Sequence, residues 1–364
     1  MQFQLLALLI FFESFFACRQ LPDQKLSFAS INTDPEHSLL DSPGYLAADI
    51  IYQSVDAGNT WRDISAGLPE GAAPVSLMIS GDEVLLGGDG GLFRGAGAVF
   101  PIWEKEFLLD DRVTGIFPGA AGPYIVTGWH GFSQNWPGTS LWMSKSATLD
   151  EPTVQTVLET RDAVLLVGGG TGIFRSNDGG NNWKKVYEKC IVRNIVEAGN
   201  MLIAGSNKGI LQSADGGETW QMVLPTNNDV ISVRVVDGGI AALVEGKMDE
   251  NGGRTNDHDF SSDSTQNRTP QAESGGRING YYFSSDQGTN WQNRTASLPS
   301  ELNSIYSLVQ AGNHLFACSE KGVYRSADQG KTWDQIRPAP ANKGSIYQIA
   351  VTEKAIFALL IFGC

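Results

Sequence analysis

The chain has 364 residues, with 26 Lys and Arg against 40 Asp and Glu and a formal net charge of −14. That charge repels polyanions and no Lys/Arg stripe offsets it locally, which argues against nucleic acid as a partner. With 42 glycines, 15 prolines and 9 tryptophans among short apolar runs, and without long helical periodicity, the composition points to a turn-rich all-β protein.

The first element along the chain is the apolar run Leu5-Leu6-Ala7-Leu8-Leu9-Ile10-Phe11-Phe12, followed by Glu13 and then Ser14-Phe15-Phe16-Ala17-Cys18. Its length suits the apolar region of a signal peptide and falls short of a bilayer span. Ala17-Cys18 resembles the end of a bacterial lipobox, in which the cysteine is acylated, although Phe15 and Phe16 stand where an aliphatic and a small residue are usual. These features predict a lipoprotein-type signal peptide over residues 1–18, lipidation at Cys18, a linker over 19–48, and an exported, periplasmic or cell-surface location. Cys190, Cys318 and Cys364 are odd in number and lack CxxC or zinc spacing, so they read as free thiols.

From residue 49 onward the chain repeats. Five segments share Ser-x-Asp-x-Gly-x-x-Trp: Ser54-Asp56-Gly58-Trp61, Ser176-Asp178-Gly180-Trp183, Ser213-Asp215-Gly217-Trp220, Ser284-Asp286-Gly288-Trp291 and Ser326-Asp328-Gly330-Trp333. Each serine follows an apolar-aromatic strand such as Ile173-Phe174-Arg175 or Val323-Tyr324-Arg325. Two further strands of this kind carry a decayed motif: Leu92-Phe93-Arg94-Gly95, leading to Trp103, and Leu141-Trp142-Met143-Ser144. The units recur about 40 residues apart, and each has room for four short strands, which is the signature of a propeller blade. Inner strands near Leu77, Ile116, Val157, Ile195, Val233, Leu308 and Ile349 give the same count of seven.

The prediction is a single seven-bladed β-propeller over 49–364. Because the chain opens with outer strands at 49–65 and closes with inner ones at 345–362, both termini must build one blade. The stretch 247–277 holds only Met248, Phe260 and Ala272 as apolar residues, too few to offset ordering entropy, and is predicted to be a disordered insertion. Its Asp257, Asp259 and Asp263 lack the glycine and terminal Glu of a calcium loop, so no metal is predicted. No cofactor motif appears either: Gly168-Gly169-Gly170-Thr171-Gly172 precedes a strand, where a phosphate cradle requires a helix.

Turn physics explains the repeated motif without a ligand. Ser and Asp hydrogen-bond tight-turn amides, Gly permits positive φ, and Trp buries apolar area. The segments resemble the Asp-box (BNR) repeats of sialidases, of the sortilin luminal propeller, of xyloglucanases and of propeller-type photosystem II assembly factors. That resemblance covers nearly all of 49–362 and implies a propeller whose boxes lie away from the ligand face. It does not imply one activity. Sialidases of this kind carry an arginine in a Phe/Tyr-Arg-Ile-Pro motif ahead of the first box, whereas only Arg19 precedes Ser54 here. Two-propeller xyloglucanases place a catalytic Asp on each ring, and this chain has one ring.

The leading expectation is therefore a monomeric, non-enzymatic scaffold that binds a protein or glycan; the alternative is a sialidase-like or other glycoside hydrolase. The expected ligand face is formed by loops leading into inner strands and by turns between second and third strands. Its candidates are Trp129, His130, Phe132 and Trp136, taken as one ten-residue surface loop over 129–138, with Asp110, Asp111, Arg112, Arg193 and Asp229 from the lead-in loops. Aromatic side chains in a surface loop suit both sugar stacking and protein hot spots.

Overall fold

The computed structural model describes residues 49–69, 72–80, 83–96, 102–107, 109, 111–128, 131–136, 138–245, 280–302, 305–338, 345–352 and 354–362. The signal-peptide, linker and insertion assignments, with Cys18 and Cys364, lie outside them. The chain opens with β1 (Ile51–Ser54) and β2 (Arg62–Asp63). Blade one follows as β3 (Pro74–Ser80), β4 (Glu83–Gly88), β5 (Gly91–Ala96) and β6 (Ile102–Lys105). Blade two is β7 (Val113–Phe117), β8 (Tyr124–Thr127), β9 (Gly131–Asn135) and β10 (Trp142–Ser144). Blade three is β11 (Val154–Glu159), β12 (Leu165–Gly169), β13 (Gly172–Ser176) and β14 (Lys184–Glu188). Blade four is β15 (Val192–Ala198), β16 (Met201–Ser206), β17 (Gly209–Ser213) and β18 (Gln221–Pro225). Blade five is β19 (Val230–Val236), β20 (Gly239–Val244), β21 (Gly280–Ser284) and β22 (Gln292–Asn293). Blade six is β23 (Ile305–Ala311), β24 (His314–Ser319), β25 (Gly322–Ser326) and β26 (Asp334–Pro338). Last come β27 (Ser345–Val351) and β28 (Ile356–Phe362).

Each group is a four-stranded antiparallel sheet, and the seventh has the order β2-β1-β28-β27. The expected closure is thus present: β1 pairs with β28 in the register Ile51 with Leu359 and Ser54 with Ile356. Each innermost strand packs on the next, and β27 packs on β3, so the seven blades form a ring.

Burial follows from this geometry. Second strands are buried along nearly their whole length, as in Leu165–Gly169 and Met201–Ser206, because both sheet faces are covered by neighbours. The apolar side chains gather in seven clusters, one at each junction between neighbouring blades. Cys190 and Cys318 are buried free thiols within two of them. Among the described residues no helix is long and apolar enough to cross a membrane.

The Ser-Asp-Gly-Trp segments join third to fourth strands. In the turn after β25 the Ser326 hydroxyl donates to Asp328 Oδ1 at 2.8 Å and accepts from the Gly330 amide at 2.7 Å. Asp328 also accepts the Thr332 amide at 2.8 Å and its hydroxyl at 2.7 Å, and Trp333 Nε1 donates to the Gly330 carbonyl at 3.1 Å. The other four turns repeat this pattern, with Thr60, Asn182, Thr219 or Asn290 in the place of Thr332. These hydrogen bonds, the first from Thr332 itself, hold the Asp328 carboxyl down at about 2. The turn glycine also sets blade spacing. Gly58 has φ +90°, and a Cβ there would stand 2.4 Å from Cδ1 of Ile336 in the preceding blade.

A strut links consecutive turns. The residue before the motif serine donates to a backbone carbonyl of the next blade's turn: Arg175 to Gly216 at 3.0 Å, Gln212 to Gln287 at 2.9 Å, and Arg325 to Ala57 at 2.7 Å.

Candidate functional site

Blade two departs from its expected strand order. Leu141-Trp142-Met143-Ser144 is not the third strand; residues 142–144 form the outermost strand β10, and the third strand is Gly131–Asn135. Gly131, at φ +78°, takes the place that Gly172 holds in blade three, and Phe132 takes that of Ile173. Phe132 is accordingly fully buried, packed at 5.7 Å edge-on to Trp183 of the next blade, and is a core residue that cannot meet a ligand.

The expected ten-residue loop is thereby divided. Strand β8 ends at Thr127 and β9 begins at Gly131; Trp129 and His130, between them in sequence, lie outside the described residues. Trp136 lies beyond the other end of β9, on the face that carries the Ser-Asp-Gly-Trp turns, and is 54 % exposed. Asn135 replaces the motif serine. Its Nδ2 donates to the carbonyls of Thr139 at 3.0 Å and Leu141 at 3.3 Å, while the Trp136 amide donates to the Leu141 carbonyl at 2.8 Å. The residues that flank Trp136 are therefore held by hydrogen bonds of their own.

Beside it opens a cleft of about 300 Å³, lined by Ala121, Gln134, Asn135, Trp136, Met143 and Lys145. The strut is missing here, because Gln134 Nε2 reaches the Gly122 carbonyl of its own blade at 3.4 Å. Most of the large exposed apolar side chains among the described residues belong to these two blades: Trp136, Leu141 and Met143 on blade two, Ile102 on the outermost strand of blade one, and Phe107 in the loop after it. Neither blade carries the Ser-Asp-Gly-Trp turn. Only Val55 and Val235 are large exposed apolar residues elsewhere among the described residues.

Of the charged candidates, Asp111, Arg112 and Asp229 sit on the opposite face in loops leading into inner strands, and Arg193 is the second residue of the inner strand β15. Six inner strands carry a bulge at their second residue, and in β15 this turns Arg193 out of the ladder. Arg193 Nη2 pairs with Asp229 of the next blade at 2.6 Å, and its buried Nε has no hydrogen-bond partner. Arg112 pairs with Asp89 of blade one at 2.8 Å, with both side chains exposed. Asp111 is exposed, and Asp110 lies outside the described residues. The Arg193–Asp229 and Arg112–Asp89 pairs each bridge neighbouring blades, and neither lies on the face that carries Trp136.

Sequence reasoning missed Glu151, which is buried in the loop before β11. Its carboxylate accepts the Thr153 amide at 2.9 Å, the Thr171 amide at 3.0 Å and the Thr171 hydroxyl at 2.7 Å. Burial pushes its pKa up, but the hydrogen bonds from Thr171 and Thr153 outweigh it and hold the carboxyl below its ordinary range. Among the described residues, every carboxyl group with a resolved pKa shift is shifted downward: this one and the five motif aspartates.

No protein-family model and no curated protein matches the sequence. Solved structures do match in fold. YCF48 from Cyanidioschyzon merolae is 13 % identical with a TM-score of 0.53, over 80 % of this chain and 96 % of that one. YCF48 bound to D1 peptide is 16 % identical with a TM-score of 0.51, over 88 % of this chain and 96 % of that one. The Niastella koreensis GH74 enzyme is 14 % identical with a TM-score of 0.51, over 78 % of this chain but 46 % of the enzyme. At these identities the likeness is one of fold: the chain is a seven-bladed β-propeller.

Proposed function

We propose that the chain is an exported propeller scaffold, anchored through Cys18, that binds a protein partner on the outer walls of blades one and two. One observation carries the reading: Ile102, Phe107, Trp136, Leu141 and Met143 are exposed on two adjacent blades that have lost the Ser-Asp-Gly-Trp turn. Exposed apolar area costs solubility unless a partner covers it, and tryptophan and methionine are favoured anchors of such contacts. The similarity to YCF48 bound to D1 peptide supports a peptide-binding role for a ring of this build. The five regular turns contribute scaffold, since their Ser and Asp groups are engaged within the turns.

The test is affinity capture from the envelope fraction with wild-type protein and with Trp136→Ala/Leu141→Ser. The double variant is expected to lose the specific partner while keeping its melting temperature. Equal recovery of that partner would refute the reading. Glycoside hydrolysis remains the second reading on the strength of the GH74 likeness, and reducing-sugar release by the purified protein reads it out.

A further inference from the structure

The inner strands repeat as the outer turns do, and blade five breaks their pattern. In six blades the residue after the buried inner-strand anchor is apolar and packs into the junction with the next blade: Met78, Phe117, Leu158, Val196, Val309 and Ala350. In blade five this residue, after Val233, is Arg234. Its pairing partner on the second strand differs as well. It is Leu, Ile, Phe or Tyr in the other six blades, and Ala241 in blade five. A large apolar pair has been exchanged for an arginine and the alanine that leaves room for its stem.

The charge of Arg234 is unmatched. Among the described residues it forms no ion pair, and its hydrogen bond runs from Nη1 to the carbonyl of its own neighbour Val233, at 3.5 Å. Asp229, just ahead of the same strand, is already engaged by Arg193 of blade four at 2.6 Å. The Arg234 side chain is exposed, yet desolvation by the surrounding protein draws its pKa down. A guanidinium that water reaches while protein surrounds it stands in a concavity of the ring and not on its outer wall. The Val233 carbonyl also accepts Asn194 Nδ2 of the blade-four inner strand, at 2.8 Å, so it faces the gap between the two inner strands and both side chains converge on it. The other end of that amide, Asn194 Oδ1, is buried and has no hydrogen-bond partner.

We infer that Arg234 and Asn194 form a binding site for a small 2-hydroxycarboxylate on the inner wall of blades four and five. An arginine without a counter-ion calls for an oxyanion, and its planar fork matches the two oxygens of a carboxylate. A carboxylate by itself leaves Asn194 Oδ1 as it is, because both groups only accept. A hydroxyl on the adjoining carbon supplies the missing donor. An ammonium in the same place would reach Oδ1 too, but it would stand beside the arginine with no free carboxylate to offset its charge, since Asp229 is taken. A phosphate dianion would exceed the one free positive charge. With one cation and one acceptor, the site has partners for a carboxylate and a single neighbouring hydroxyl, which sets the size of the ligand. It is separate from the partner surface on blades one and two and does not rest on it.

The test titrates the full chain, labelled with ¹⁵N, with glycolate, acetate, glycine and inorganic phosphate, following the Arg234 Nε–H and Asn194 side-chain amide resonances. Glycolate is expected to shift both in a saturable way, and acetate to bind about tenfold more weakly for want of one hydrogen bond. Arg234→Met returns the apolar residue type of the other six blades. It is expected to abolish the glycolate shift at Asn194 with an equal or higher melting temperature. Asn194→Ala is expected to bring glycolate down to the affinity of acetate, read at Arg234. No saturable shift with glycolate overturns the inference, as does a glycolate shift that survives Arg234→Met. Acetate or glycine binding as tightly as glycolate, or phosphate binding more tightly, overturns the ligand class, and these comparisons use the unaltered protein.

Discussion

The close approach of neighbouring blades makes a quantitative prediction at Gly87. This glycine lies on β4 in extended backbone, so it is not required for positive φ. A Cβ built there would stand 2.5 Å from Cγ1 and 3.0 Å from Cβ of Val113, the first residue of the next blade's inner strand. The same contact recurs between Gly168 and Val192 at 2.6 Å and between Gly205 and Val230 at 2.9 Å. Gly87→Ala must therefore push blades one and two apart or drive Val113 from its rotamer, at a cost of about 1–3 kcal/mol. At about 2–4 °C per kcal/mol for a domain near this size, the melting temperature should fall by roughly 2–12 °C. Val113→Ala alone deletes two fully buried methyl groups and should cost about 2 kcal/mol. In the double variant the new methyl enters the space that Val113 vacates, so the two losses should not add, with a coupling of about 1–2 kcal/mol. Thermal unfolding followed by circular dichroism on the four proteins of this cycle measures it. An unchanged melting temperature for Gly87→Ala, or losses that add within about 0.5 kcal/mol, would refute the argument.

Glu151→Gln should destabilise the ring most at neutral pH. Its native pKa is depressed below the ordinary 4.5, so its stabilisation is complete above that value and is lost as pH falls through the native pKa. Chemical denaturation of the two proteins from pH 7 downward should show the difference shrinking, and a constant difference would contradict the assignment. The carboxyl groups of Asp56, Asp178, Asp286 and Asp328 should titrate at about 2 by carbon-detected NMR; midpoints near 3.8 would mean that the turns are not bonded as described. Trp142 Nε1 is buried without a partner, so Trp142→Phe removes an unsatisfied donor worth about 1–3 kcal/mol and should be neutral or stabilising in a thermal melt. Leu359→Ala, at the seam between β28 and β1, should cost about 2–5 kcal/mol in denaturant unfolding.

The sequence made the seven-fold ring and its closure legible because five of the seven units repeat the same turn chemistry, all seven inner strands recur, and the two end segments supply complementary halves of one blade. It misled at blade two, where Leu141-Trp142-Met143-Ser144 imitates the apolar-aromatic-x-Ser pattern of a third strand. The real third strand was marked by the glycine before it: Gly131-Phe132 matches Gly172-Ile173 and Gly322-Val323, a signal carried by one backbone position and easily outweighed by two tryptophans. That single shift moves Phe132 into the core and Trp136 to the far face. The cleft was not legible at all. It arises from what is missing at Gln134, and the role of the strut becomes apparent only when the next blade's carbonyl is seen within reach of Arg175, Gln212 and Arg325. The Thr or Asn four residues after each motif Asp was legible in principle, as it precedes every motif Trp, but its contribution depends on a side chain folding back onto its own turn.

The seam has a mechanical consequence. Strand β1 enters the ring at Ile51 and β28 leaves it past Leu359, and these two residues face one another across the antiparallel pair. Tension applied between the two ends of the propeller would therefore load the hydrogen bonds of this pair one after another, starting at the bond from the Leu360 amide to the Ile50 carbonyl, and not all at once. A ring that heat must melt as a whole is in this direction a zipper, and a steady pull on its ends would peel blade seven apart while the other six sheets still carry no load.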